Sequence, residues 1–115
     1  YAMVETALAI GSIPVTPYGT PSTYEVPENI APYLSEHDVL LLQNHGALAV
    51  GSDVITAYYR METLELYAKI NLTARLVGKV NEIPKDKLDT LISMRDQYGV
   101  TGKHPGYKKY PEGSK

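Results

Sequence analysis

Leu41-Leu42-Gln43-Asn44-His45-Gly46-Ala47-Leu48-Ala49-Val50-Gly51 decides how this chain is read. The apolar run Val39-Leu40-Leu41-Leu42-Gln43 stops at Asn44-His45-Gly46. A second run, Ala47-Leu48-Ala49-Val50, closes at Gly51. Two such runs around a short turn containing glycine predict a β-hairpin. Apolar residues without alternation predict strands covered on both faces. His45 then stands at the apex of the turn. Gly46 is expected to give the backbone its freedom, and Asn44 can bond its own turn. An imidazole held between rigid strands suits a metal ligand, and a polar turn residue is the plainer alternative. One histidine makes no site, because a catalytic zinc takes three protein ligands.

Downstream, Val54, Ala57, Met61, Leu64, Ala68, Leu72 and Leu76 recur every three or four residues. This spacing predicts a helix over about 53–77 that buries Val54, Met61, Leu64, Ala68 and Leu72. Ser52 is the expected N-cap, Asp53 complements the positive helix end, and Gly78 stands past the last turn. Glu65 and Lys69 form an i,i+4 pair in the favourable order. Pro84 starts a last helix with Ile83 in front of it. Leu88, Leu91, Ile92 and Arg95 share a face, and Gly99 ends the helix. Upstream, residues 2–10 read as a short helix stopped by Gly11, and Ile13-Pro14-Val15-Thr16 as extended. Residues 17–23 are a loop, and 27–34 a short helix with Pro27 in its first turn. From Val100 onward the apolar pattern ends, so residues 100–115 read as an extended or disordered tail.

Composition narrows the function. The chain has 115 residues, enough for one domain or part of one. Hydrophobic residues make up 43% and charged residues 21%, a globular balance. A net charge of −2 disfavours nucleic acid and anionic membranes as partners. The absence of cysteine excludes disulfides, cysteine-based zinc fingers and a thiol nucleophile. No apolar stretch approaches the roughly 20 residues that span a bilayer. Tyr1-Ala2-Met3-Val4-Glu5 has no basic signal-peptide region, so a cytoplasmic protein is expected. No Walker A, G-x-G-x-x-G, H-x-x-x-H or G-x-S-x-G motif is present.

Other polar residues have weaker claims. His37 and Asp38 offer a second ligand pair, but exposed loop polarity at a strand entrance is the preferred reading. His104, between Lys103 and Pro105, reads as solvated. Glu62, beside Met61, reads as partly buried and bonded to a neighbouring loop rather than paired with Glu65 for acid–base work. Tyr58, Tyr59 and Tyr67 read as core-edge or interface residues. Tyr98, just before Gly99, is a packing residue or a phenol able to donate a proton into a cleft.

Three segments together give a resemblance. Leu41–Gly51 is similar to the strand–NHG–strand signature of the class II aldolase/adducin family. Ala57-Tyr58-Tyr59-Arg60-Met61-Glu62-Thr63-Leu64-Glu65 resembles the start of that family's following long helix. Ile13-Pro14-Val15-Thr16-Pro17-Tyr18-Gly19-Thr20 resembles its "IP…PYGT" loop. The likeness covers about residues 1–99. It implies an α/β/α layered fold around a mainly antiparallel sheet, a homotetramer, and a divalent metal, usually zinc. It also implies reversible cleavage of a ketose 1-phosphate, such as L-fuculose 1-phosphate, to dihydroxyacetone phosphate and an aldehyde. The metal would stabilise the enediolate as a Lewis acid. His45 matches the third metal-binding histidine. Tyr98 matches the C-terminal tyrosine that protonates the aldehyde oxygen.

This chain departs from the family pattern in three places. Thr101 stands where a basic residue follows the tyrosine, and Lys103 is a candidate replacement. Ser22 stands where glycine is more usual. The family's H-x-H pair, catalytic glutamate and phosphate-binding loops lie upstream of the segment matching Tyr1. Residues 1–99 are therefore expected to be the C-terminal half of the domain, inactive alone. Within the family, a pentulose-phosphate 4-epimerase and a non-enzymatic adducin-like binding module are the alternatives.

Overall fold

In the computed structural model, residues 1–106 are described. The expected tail at 107–115 lies outside them. The apolar runs form strands β2 (Val39–Leu42) and β3 (Gly46–Ala49). They pair antiparallel in the register Val39↔Ala49, Leu40↔Leu48, Leu41↔Ala47 and Leu42↔Gly46. The Val50 amide donates to the Asp38 carbonyl at 2.8 Å and closes the base of the hairpin. Strand β1 (Val15–Thr16) lies parallel to β2 on its other side, giving the order β1-β2-β3. The described part of the sheet thus holds one parallel and one antiparallel pairing, the antiparallel one being the longer. Burial on both faces holds at the base of β2, where Val39 and Leu40 point to opposite faces and are both buried. It fades towards the turn, where Gly46 and Ala47 are exposed.

Helix α1 (Val4–Ala9) is shorter than the expected 2–10, and the chain turns at Gly11 with φ 73°. Helix α2 (Glu25–Ile30) begins before the expected Pro27. Pro27 still falls in its first turn, where no amide is needed. Pro32 has no N–H to continue the ladder, so 31–36 proceeds as separate turns. Helix α3 (Val54–Val77) packs on β2, β3 and α1. Ile10, Val39 and Leu64 form the core cluster, with Ile13, Leu41, Ala49 and Met61 against it.

The apolar stripe of α3 is only partly covered. Leu64 is buried, but Ala68 is exposed, Val54 is 82% exposed and Leu72 61%. The reason is length. The 24 residues of α3 rise about 36 Å, whereas four-residue strands rise about 13 Å, so both helix ends overhang the sheet. The cap is Asp53, not Ser52. Asp53 Oδ1 accepts from the Thr56 amide at 2.9 Å, and Ser52 donates its hydroxyl to Asp53 Oδ2. These hydrogen bonds, led by that amide, hold the Asp53 carboxyl below its usual pKa.

Helix α4 (Lys85–Ser93) buries Leu88 and ends before the expected Gly99. Residues 94–99 continue as turns, and Gly99, at φ 65°, stops them. Residues 100–106 have no regular structure but are tied to the body. His104 Nε2 lies 2.7 Å from the Ala7 carbonyl, and Pro105 is buried. No described helix is long and apolar enough to cross a membrane.

Candidate active site

His45 occupies the tight turn that the hairpin pattern predicts. Its amide donates to the Leu42 carbonyl at 3.0 Å, closing the turn over Gln43 and Asn44. The freedom lies at Asn44, whose φ is 56°, and not at Gly46, which is already the first residue of β3. Asparagine tolerates this left-handed backbone because its short polar side chain bonds locally. The His45 side chain is exposed.

The upstream loop is fastened to this turn. Gln43 Oε1 accepts from the Tyr18 amide at 3.0 Å, and Asn29 Nδ2 donates to the Tyr18 carbonyl at 2.9 Å. Gly19 lies so close to α2 that a Cβ there would stand 2.9 Å from the Val26 nitrogen. Glu25 accepts from the Thr20 amide at 2.8 Å, a bond that draws its carboxyl below the usual range. Ser22 takes φ 66°, the conformation for which glycine is the easy choice. The two segments thus form one ordered surface beside His45.

Tyr98 lies in the turns after α4, its amide bonded to the carbonyls of Met94 and Arg95, and its side chain is 59% exposed. No hydrogen bond among the described residues joins Tyr98 to His45. Glu62 is exposed rather than partly buried. It accepts from the Tyr58 hydroxyl at 2.8 Å instead of from a loop, and this raises the Tyr58 pKa. Tyr58 and Tyr59 are exposed on α3, and Tyr67 is half-buried. Lys69 reaches Glu65 at 3.6 Å, with both side chains largely in solvent.

His37 and Asp38 are not exposed loop residues. They are 1% and 6% exposed. His37 Nδ1 donates to the Ser12 carbonyl at 3.1 Å. Asp38 Oδ2 lies 3.3 Å from Arg60 Nη1 and accepts from the Lys103 amide at 2.7 Å. Lys103 Nζ is 3.9 Å from Asp38 Oδ1 and also donates to the Leu34 carbonyl. The Thr101 carbonyl accepts from Arg60 and Arg95. Burial pulls the Arg95 pKa down while Asp38 opposes the shift.

His104 is half-buried rather than solvated. Its Nδ1 accepts from the Gly106 amide at 3.0 Å, and its ring stacks on Tyr1 with centroids 6.5 Å apart. Sequence reasoning missed this set of contacts. The available signal was a charge at the edge of an apolar pattern. Asp38 precedes the apolar run of β2, and Arg95 lies on the apolar face that extends from α4. Each needs an opposite charge if buried.

Among the described residues, no group of three His, Cys, Asp or Glu side chains could hold a metal. His45 offers one imidazole donor at an exposed turn, and this does not by itself fit a zinc centre.

A family model describing the class II aldolase and adducin N-terminal domain matches residues 1–72. The chain belongs to the class II aldolase and adducin family. An L-fuculose phosphate aldolase of Methanocaldococcus jannaschii is 46% identical over 44 residues, which cover 38% of this chain and 24% of that protein. A 3-oxo-tetronate 4-phosphate decarboxylase of Pectobacterium atrosepticum is 35% identical over 63 residues, 55% of this chain and 29% of that one. A solved L-fuculose 1-phosphate aldolase matches with a TM-score of 0.74 and 26% identity, over 83% of this chain and 45% of that one. The mixed α/β arrangement is therefore part of the class II aldolase fold. The chain spans 24% and 29% of the lengths of these two curated relatives.

Proposed function

We propose that this chain belongs to a metal-dependent sugar-phosphate aldolase, a carbon–carbon lyase that cleaves L-fuculose 1-phosphate or a similar ketose 1-phosphate. The products are dihydroxyacetone phosphate and an aldehyde. The observation that carries the reading is the His45 turn. In a chain of this family, an exposed imidazole projects from a hairpin whose tip is bonded to the Pro17–Thr20 loop. His45 contributes one ligand to a divalent metal, zinc by preference, and the other ligands come from outside the described residues. Tyr98 is the catalytic phenol that gives its proton to the aldehyde oxygen as the carbon–carbon bond forms, and in cleavage its phenolate takes that proton back from the substrate hydroxyl as the bond breaks. Residues 1–99 form the C-terminal half of the domain, and the 115-residue chain alone is inactive. The working enzyme is a cytoplasmic homotetramer without nucleic-acid or membrane partners. The names of the relatives support sugar-phosphate substrates.

The test is product analysis with the full-length gene product and a divalent metal. Release of dihydroxyacetone phosphate from L-fuculose 1-phosphate is the expected result. Interconversion of ribulose 5-phosphate with its 4-epimer, without cleavage, would replace the aldolase reading by the epimerase one. No turnover of either sugar phosphate would favour an adducin-like binding module.

A further inference from the structure

Asp38 and Val50 close the base of the hairpin whose tip carries His45. Arg60, on α3, reaches this base twice. Its Nη1 donates to the Val50 carbonyl at 2.6 Å and lies 3.3 Å from Asp38 Oδ2. Its Nη2 donates to the Thr101 carbonyl at 3.1 Å. Arg95 Nη2 donates to the carbonyls of Thr101 and Gly102 at 3.3 and 3.2 Å. Asp38 Oδ2 also receives the Lys103 amide. Tyr98 lies between Arg95 and Thr101; Arg95 is bonded to the carbonyls of 101 and 102, and this segment is bonded in turn to Arg60 and Asp38 at the hairpin base. Asp38 is buried, and the charged groups of Arg60 and Lys103 lie within 4 Å of its carboxylate. Gly102 fits the arrangement closely. Its φ is +92°, and a Cβ there would run into Arg60 Nη2 and Asp38 Oδ2.

We propose that Asp38 is a positioning residue that, through Arg60, Arg95 and the Lys103 amide, fastens both flanks of Tyr98 to the base of the His45 hairpin. The proposal rests on the reading of Tyr98 as the group that moves the proton to and from the aldehyde oxygen. Asp38 touches no reacting atom. Its carboxylate offsets the desolvated charges of Arg60 and Arg95, which hold the backbone of 101–102, and it holds the amide of 103 directly. Without that charge, two guanidinium groups remain in a poorly hydrated place and are drawn towards water. The segment they hold follows them. A misplaced phenol then slows proton transfer while leaving substrate affinity nearly unchanged.

The experiment compares Asp38→Asn, Tyr98→Phe and the double variant of the full-length protein. Asp38→Asn keeps the side-chain shape and removes the charge. Two readouts are taken, amide hydrogen exchange over 95–106 and steady-state cleavage of L-fuculose 1-phosphate. The expected result is exchange about tenfold faster over 100–106, with the β2–β3 amides unchanged. Asp38→Asn should also lower kcat by about tenfold with little change in KM. The double variant should be no slower than Tyr98→Phe, because both changes act on one proton transfer. Unchanged exchange in Asp38→Asn overturns the proposal. So does a double variant in which the two losses multiply, because Asp38 would then act independently of Tyr98.

If the wild type cleaves no sugar phosphate, the role given to Tyr98 fails. The exchange data still decide whether Asp38 fastens the segment. If Asp38→Asn does not fold, Gly102→Ala makes the same test with every charge in place. It should give the same faster exchange over 100–106, and native-like exchange there would overturn the clamp.

Discussion

His104 stands among lysine, proline and glycine, yet its ring is packed on Tyr1 and bonded at both nitrogens. Nε2 faces the Ala7 carbonyl and so carries the proton, while Nδ1 accepts from Gly106. Protonating Nδ1 would remove that acceptor and add a cation near Arg95 and His37. Burial is the main cause that pushes the His104 pKa below 6.5. As pH falls, the unfolded chain therefore takes up its proton first. The stability linked to His104 is complete above pH 6.5 and declines as pH falls through 6.5 towards the lowered folded value. Asp53 and Glu25 act in the same direction only in the more acid range, around and below 3.8 and 4.5. Urea midpoints should fall between about pH 7.5 and about pH 5.5 in the wild type and fall less in His104→Gln. Equal slopes would show that the His104 ring is not what titrates.

The same residue scale shows what was legible and what was not. His45 could be placed from sequence because two apolar runs leave little choice about where a turn falls. His37 and Asp38 could not be placed correctly. Their burial depends on groups that meet only after folding, and residue type alone argues for exposure.

The ends of α3 were legible to within a residue or so, because Asp53 and Gly78 are chemically distinct from the helix between them. Its buried face was less so. Periodicity shows which residues can face a partner, but not how far that partner extends. Leu64→Ala should cost about 2–5 kcal/mol in chemical unfolding, because Leu64 sits in the core cluster. Leu76→Ala, at a position 79% exposed, should change stability by less than about 0.5 kcal/mol. Equal effects would mean that the helix is seated differently. The cap gives a second comparison. Asp53→Ala should lower Tm, because the Thr56 amide loses its acceptor, whereas Ser52→Ala should leave Tm nearly unchanged. The reverse order would restore Ser52 as the cap.

Across the whole molecule, the hairpin, the long helix and the Ile13–Thr20 segment were legible together because they share one surface. β1 runs beside β2, and Tyr18 is bonded to Gln43 in the turn. The strap of 100–106 was not legible. Its Pro and Gly content reads as loose chain, while its order comes from long-range bonds to Asp38, Arg60 and Ala7. The functional account depends on His45 serving as a metal ligand in a class II aldolase. Metal content per subunit, measured by elemental analysis of the full-length protein and its His45→Ala variant, tests that dependence most directly. The account predicts about one zinc per subunit in the wild type and almost none in the variant, because a catalytic zinc site loses its geometry when one of three protein ligands is removed. A His45→Ala protein that still holds one zinc per subunit would contradict it.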